Sequence, residues 1–413
     1  MPVVHAVCCG IDVHQARLTA CLRPVDATGQ VTQDVREFAT TYGAWLALLD
    51  WLALLDWLVE AHCPIAARES TGVYWKPVSH VLVGTVEVVV GNAQEMPQRP
   101  GRKTDKAEAR WIAALLAHGL IRPSFVPPPA ISALRDLTRT RVALIQTRRQ
   151  AKHRVSKVLE DTNIKLASVV ADLFGVSGRQ MLAALIAGER DPQALATLAR
   201  GRLRQKLPAL ELALAGQFTD HHAQLIALGL NLIDVLTRQI AELDQQIGVL
   251  VAPLAPQMEQ LQSIPGGGTA ARQSLAEIGS DMSRFGAAPR LASWAGVCPG
   301  KDESAGKRRQ GRTRQGNRDL RRVLVPCAWA ARKTPTYLGR TFRRLEARLG
   351  RKKAAVAVAH KILVIIYHLL AEGTFYDEQR DDHLQSQQED RQRQRAIKAL
   401  ERLGYHVTVE RVA

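Results

Sequence analysis

Three consecutive prolines, Pro127-Pro128-Pro129, with Pro123 just before them, cut the chain into parts that follow different periodicities. Proline locks φ and lacks an N–H, so neither a strand nor a helix interior runs through such a stretch; it reads as a stiff, extended linker. Before it, short strand-like and helix-like runs alternate. After it, apolar residues recur at helical spacing as far as residue 372.

Before the break, Val3–Ile11, Ala16–Leu22 and Gln30–Phe38 predict three strands in a meander. Tyr42–Ala61 predicts a helix, Pro64–Arg68 a strand, Tyr74–Val83 a helix, Thr85–Val90 a buried strand and Asp105–His118 a closing helix. Antiparallel strands followed by alternating helices and strands give an α/β domain with a mixed sheet, residues 1–126. Its first helix contains a perfect tandem repeat, WLALLD at 45–50 and again at 51–56. Six residues turn a helix by about 600°, so the copies lie roughly 120° out of phase and cannot face the core identically. The repeat reads as a local duplication that lengthens the helix by about 9 Å.

Beyond the break, residues 130–255 predict a helical stalk. Ile131–Asp161 is a long basic helix, and residues 165–222 are Ala/Leu-rich and helical. Ile233, Leu236, Ile240, Leu243, Ile247 and Leu250 then form a heptad with Ile at a and Leu at d, which favours a parallel two-stranded coiled coil and so a dimer or higher oligomer. The other solution is a hairpin with Ile131–Asp161 of the same chain. Residues 256–373 predict a second, mostly helical domain. Residues 374–413 form a polar tail, with a helix at Arg391–Leu403 and a strand at Val407–Glu410.

Charge separates these regions. The 413 residues carry 56 Lys and Arg against 39 Asp and Glu, a net +17 with a pI near 10.0. Residues 1–130 hold 11 basic and 12 acidic side chains, whereas 301–353 hold 18 and 4. Such an excess favours a polyanionic partner, nucleic acid before an acidic membrane surface. The six cysteines, at 8, 9, 21, 63, 298 and 327, form no C-x-x-C pair, and no signal peptide is evident, so a reducing cytosol is expected rather than disulfides or a zinc site. Ala354–Leu370 is apolar, but His360 and Lys361 interrupt it; it reads as a core helix, not a membrane span.

Four carboxylates stand where metal chemistry would need them. Asp12 ends the first strand, Glu69 the fourth, and Asp105 and Glu108 share one face in the first turn of the closing helix. Strand-end carboxylates meeting a helix face can make an oxygen cage for two Mg²⁺ ions. The plainer reading is that Asp105 caps its helix, Glu108 completes the capping pattern and Asp12 ends a strand. In the second domain, Ser263-Ile-Pro-Gly-Gly-Gly-Thr269 resembles a helix-hairpin-helix turn. There the backbone N–H groups near Gly266 and Gly268 would hold a phosphate. Residues 298–318 read as a flexible loop holding Ser304 beside Lys307, Arg308, Arg309, Arg312, Arg314, Asn317 and Arg318. Guanidinium groups grip phosphate bidentately and could support a hydroxyl attacking phosphorus; alternatively the loop binds backbone phosphate and the serine is incidental.

GIDVH at 10–14, ESTGVYWKPV at 69–78, PGRKTDK at 100–106, LASWAGVCPG at 291–300, SAGKRR at 304–309, GRTRQGN at 311–317 and VAHKIL at 358–363 closely resemble the bridge-RNA-guided insertion-sequence transposases, the IS-110 family. The resemblance runs from about residue 5 to residue 372. It implies an RNase H-like (RuvC-like) first domain with a D-E-D-D set, matched by Asp12, Glu69 and Asp105, with Glu108 where Asp is usual. It also implies a nucleophilic serine, matched by Ser304, together with donor and target DNA and a non-coding bridge RNA. With Mg²⁺ in the carboxylate cage about 200 residues from Ser304, and the heptad between them, composite active sites in a homo-oligomer of the bacterial cytosol or nucleoid are expected. Besides Glu108, the Pro265-Gly-Gly-Gly turn looks one residue short of the family pattern, and the WLALLD duplication is not expected. The rival readings are a hydrolytic junction nuclease and an inactive element-derived nucleic-acid binder.

If residues 301–353 grip phosphate backbones, log affinity for DNA should fall linearly and steeply with log salt concentration, measured by fluorescence anisotropy. A flat response between low and physiological salt would contradict that footprint.

Overall fold

A computed structural model describes residues 2–39, 46–70, 78, 82, 84–91, 96, 104–268, 270–299, 303–304, 307–308, 313, 315–378, 394, 397 and 400–402; for residues 46–51, 303–304 and 307–308 it describes the backbone alone. The chain forms two compact units, Met1–Val126 and Pro127–Ala413. The second of these holds both the residues expected as a stalk (130–255) and those expected as a C-terminal domain (256–373). The predicted strand at Val407–Glu410 lies outside the described residues, as does most of the tail.

The first unit is built on a five-stranded mixed sheet in the order β3-β2-β1-β4-β5. These strands are β1 (Val7–Val13), β2 (Arg17–Pro24), β3 (Asp34–Ala39), β4 (Ile65–Glu69) and β5 (Glu87–Gly91). The first three form an antiparallel meander, while β4 and β5 join parallel to β1. Because side chains alternate along a strand, β1 buries both faces. Cys9 and Ile11 pack with Leu18, Ala20, Leu54, Trp57 and Leu58 on one side, and Cys8 packs with Ile65, Ala67, Ile112 and Leu116 on the other. The second WLALLD copy supplies Leu54 to the core and leaves Leu52 exposed on helix Leu46–Glu60; the side chains of the first copy lie outside the described residues.

Gly10 decides how closely the closing helix, Asp105–Ala117, lies on the sheet. A Cβ on Gly10 would stand 2.2 Å from the Ala109 carbonyl oxygen and 2.3 Å from the Ala113 nitrogen, so the helix backbone rests directly on β1. This seats the first turn of the helix beside the end of the strand.

The second unit departs from the coiled-coil expectation. Helices Pro129–Asp161 and Asp220–Val251 form an antiparallel hairpin within one chain: Arg141 meets Asp244, Arg148 meets Thr237, and Val155 meets Gly229. The heptad seam is covered by its own chain, with Ile233, Leu236, Ile240 and Ile247 all buried. The seam therefore gives no ground for a parallel coiled coil between subunits. The short helices between residues 166 and 214 wrap the far end of the hairpin, where Leu166, Met181, Leu195 and Leu210 join Val155, Leu159 and Ile226 in one core.

The triple proline is extended only through Pro128; Pro129 begins the helix, where its missing N–H costs nothing. Helix Arg351–Glu372 is, among the described residues, long and apolar enough to cross a membrane, yet Val358, Ala359, Ile362, Leu363 and Ile366 are buried in this unit. It packs on helices Ala288–Trp294, Arg318–Ala331 and Tyr337–Leu349. Residues 303–304 and 307–308 pair as two short antiparallel strands, with Glu303 opposite Arg308 and Ser304 opposite Lys307, and an isolated bridge pairs Pro299 with Thr313.

Gly10→Ala should force the closing helix off β1, lowering the stability of the first unit by about 1–3 kcal/mol in denaturant unfolding. Wild-type stability would mean that the helix can shift without loss.

Candidate metal and nucleic-acid site

Asp12 and Glu69 lie one residue beyond the last paired positions of two adjacent parallel strands, Ile11 and Arg68. Thr104, not Asp105, is the N-cap of the closing helix: its backbone is extended and its hydroxyl accepts from Ala107 N. Asp105 is therefore not needed as the cap. Its carboxylate faces the strand end, where His14 Nε2 lies 3.2 Å from Asp12 Oδ2 and 3.5 Å from Asp105 Oδ1. Arg17, at the start of β2, approaches the other Asp105 oxygen at 3.6 Å. Ligand atoms of Asp12, His14 and Asp105 all lie within 4.8 Å of one another. Glu69 is close enough for its charge to act on Asp12. Glu108 lies one turn beyond Asp105, half-buried in the same first turn.

Burial holds the Asp12 carboxyl above its ordinary range; His14 opposes this shift, and the negative charges of Asp105 and Glu69 add to it. Crowded carboxylates of this kind are eased by a cation, and oxygen donors with one imidazole suit a divalent metal.

In the second unit, the backbone ladder makes Ser304 the cross-strand partner of Lys307; Arg309, Arg312 and Arg314 lie outside the described residues. Arg318 is exposed at the start of its helix. Asn317 caps that helix, accepting from Leu320 N, and donates to Glu277 Oε2 at 2.6 Å. Glu277 is buried and also receives a two-pronged contact from Arg139, at 2.8 Å to each oxygen. This carboxylate ties the first hairpin helix to the segment that carries Ser304. Gly316 approaches the backbone of Ala295 and Gly296 too closely for any side chain, which further pins the base of that segment.

Gly266, with φ +81, turns the chain between helices Ala255–Gln262 and Ala270–Ile278, and a Cβ on Gly267 would meet the Leu261 carbonyl at 2.6 Å. Gly266 and Gly268 line a cleft of about 640 Å³ together with Arg141, Arg272 and Arg322. Arg141 and Arg272 both bond Asp244 and hold its carboxyl below the ordinary range.

Sequence reasoning missed His14, Arg17 and Glu277. Only His14 carried a local signal, since Asp-x-His at strand spacing places both side chains on one side. Glu277 looks like an ordinary helical glutamate until Arg139 and Asn317 are folded onto it.

Comparison with known proteins defines the class. A family model described as a transposase, of the DEDD type, matches residues 9–164, and one described as the transposase IS116/IS110/IS902 family matches residues 258–343. A Sinorhizobium fredii protein (strain NBRC 101917 / NGR234), provisionally named transposase y4qE, is 28% identical over 264 residues, 63% of this chain. The match spans 56% of that relative's length. The chain belongs to the IS110 family of transposases.

A carboxyl whose folded pKa lies above its unfolded value favours the protonated state. The Asp12 charge therefore subtracts from stability at neutral pH, a penalty absent in acid that develops as pH rises through the raised pKa. Asp12→Asn should raise the thermal midpoint of the ion-free protein at neutral pH. A divalent cation should raise the wild-type midpoint and leave the variant's unchanged; calorimetry with and without the salt tests both.

Proposed function

We propose that this chain cuts and rejoins DNA for an insertion sequence, with a Mg²⁺ carboxylate site in an RNase H-like first unit and Ser304 as the attacking hydroxyl. The observation that carries the reading is the convergence of Asp12 and Asp105 on one imidazole, with Glu69 near enough to disturb Asp12. The strand order, with a three-strand meander extended by two parallel strands, supports the fold assignment. Family membership supports DNA as the partner.

Asp12, Glu69, Asp105 and Glu108 are the residues that would hold the ions, two in number on this reading. When bound, Mg²⁺ would offset charge on the scissile phosphate. Ser304 Oγ then forms a bond to phosphorus as the deoxyribose oxygen of one strand leaves. The serine proton passes to solvent or a neighbouring base, and the departing oxygen takes up a proton. Rejoining reverses this step: a strand hydroxyl attacks the phosphoserine and Ser304 is released. Lys307, Arg308, Arg309 and Arg312 would supply positive charge to the phosphate oxygens, and Arg314 and Arg318 would hold its neighbours. Asn317 serves the fold of the loop rather than a phosphate, since its side chain is engaged in the cap and with Glu277. Backbone groups at Gly266 and Gly268, beside Arg141, Arg272 and Arg322, would grip a further backbone phosphate.

Contacts to phosphate alone cannot choose a sequence, so specificity falls to pairing with a bridge RNA.

Asp12→Asn and Asp105→Asn should cut strand cleavage roughly 100-fold or more while DNA binding survives. Ser304→Ala should abolish the protein–DNA adduct on denaturing gels and the formation of circular products, again without loss of binding. Free ends without an adduct would indicate a hydrolytic nuclease, and an adduct persisting in Ser304→Ala would exclude this serine.

A further inference from the structure

We propose that His14 is an additional protein ligand of the metal site and that its imidazole inclines the site away from Mg²⁺ towards a first-row transition ion, for which Mn²⁺ is the probe. The inference rests on the reading that Asp12 and Asp105 hold a divalent cation.

The geometry comes first. An octahedral ion with bonds of about 2.1 Å holds neighbouring ligand atoms roughly 3.0 Å apart and opposite ones roughly 4.2 Å apart. His14 Nε2 lies 3.2 and 3.5 Å from its two carboxylate oxygens, and the three ligand atoms fit within 4.8 Å. One ion could touch all three with small adjustments of side chains. The backbone supports this placement: His14 N donates to Arg17 O at 2.9 Å, closing the turn between β1 and β2 and fixing the residue at the mouth of the site. Arg17 occupies the outer oxygen of Asp105, leaving the inner one facing the imidazole.

The imidazole is half-exposed, so its Nε2 can turn towards an ion without rearrangement of the core. Donor chemistry sets the consequence. Mg²⁺ selects oxygen ligands and near-ideal geometry, whereas transition ions accept imidazole readily and bind mixed nitrogen and oxygen sites more tightly. A site of carboxylates alone would show little preference of this kind.

Pulsed electron paramagnetic resonance of Mn²⁺ bound to the full-length chain tests the inference. The expected result is a directly bonded ¹⁴N coupling in the wild type, converted to the ¹⁵N pattern by ¹⁵N-histidine labelling and lost in His14→Gln. That variant should also lose at least about tenfold in Mn²⁺ affinity by calorimetric titration, with Mg²⁺ affinity held within about twofold. Mn²⁺ bound without nitrogen coupling, yet displaced by Asp12→Asn, would overturn the role of His14 and leave the metal site standing. Ion binding indifferent to Asp12→Asn would instead overturn the metal site itself, and this inference with it.

Discussion

The first unit depends on a residue with no side chain. Gly10 lets the closing helix rest its backbone on β1, with Ala109 O and Ala113 N inside the distance that any Cβ would need. Since Asp12 follows Gly10 on the same side of the strand, and Asp105 opens that helix, the close approach sets the separation of the two carboxylates. Thr104 completes the arrangement by capping the helix, so that Asp105 can face the strand end. Packing and site geometry are thus one constraint. A helix held an ångström or two further out would leave His14 unable to reach both acids.

A buried charge organises the second unit in a comparable way. Glu277 lies almost wholly out of water, where a lone carboxylate would be costly, but Arg139 and Asn317 engage both its oxygens. These partners come from the first hairpin helix and from the end of the segment bearing Ser304. Loss of the carboxylate would remove the shared partner of Arg139 and the Asn317 amide and loosen the base of that segment. The neighbouring cleft carries three arginines and one aspartate, so it keeps a positive balance beside a tight glycine turn.

Much of the fold was legible in the sequence. The strands predicted at Pro64–Arg68 and Thr85–Val90 fall within two residues of β4 and β5, because alternation and β-branching act locally. The core assignment of the apolar segment near residues 354–370 agrees with its packing, since His360 and Lys361 marked it as unsuited to lipid. The site was legible only in part. Asp12 and Asp105 were named, but a capping role for Asp105 could not be dismissed until Thr104 was seen to fill it. His14 stood in plain view and gained meaning only beside Asp105.

The sequence by itself determined the α/β-to-helical division at the prolines, the amphipathic seams and the basic surplus of the second half, because these follow from backbone stereochemistry and composition. Tertiary structure decided which surfaces meet. A heptad specifies an apolar stripe and its period but not the owner of the opposing stripe, and here the 129–161 helix of the same chain covers it. Likewise nothing local distinguishes Glu277 from any exposed helical glutamate, nor Gly10 from a glycine that merely weakens a strand. Their roles arise from contacts between residues 40 to 138 positions apart, which only the folded chain brings together.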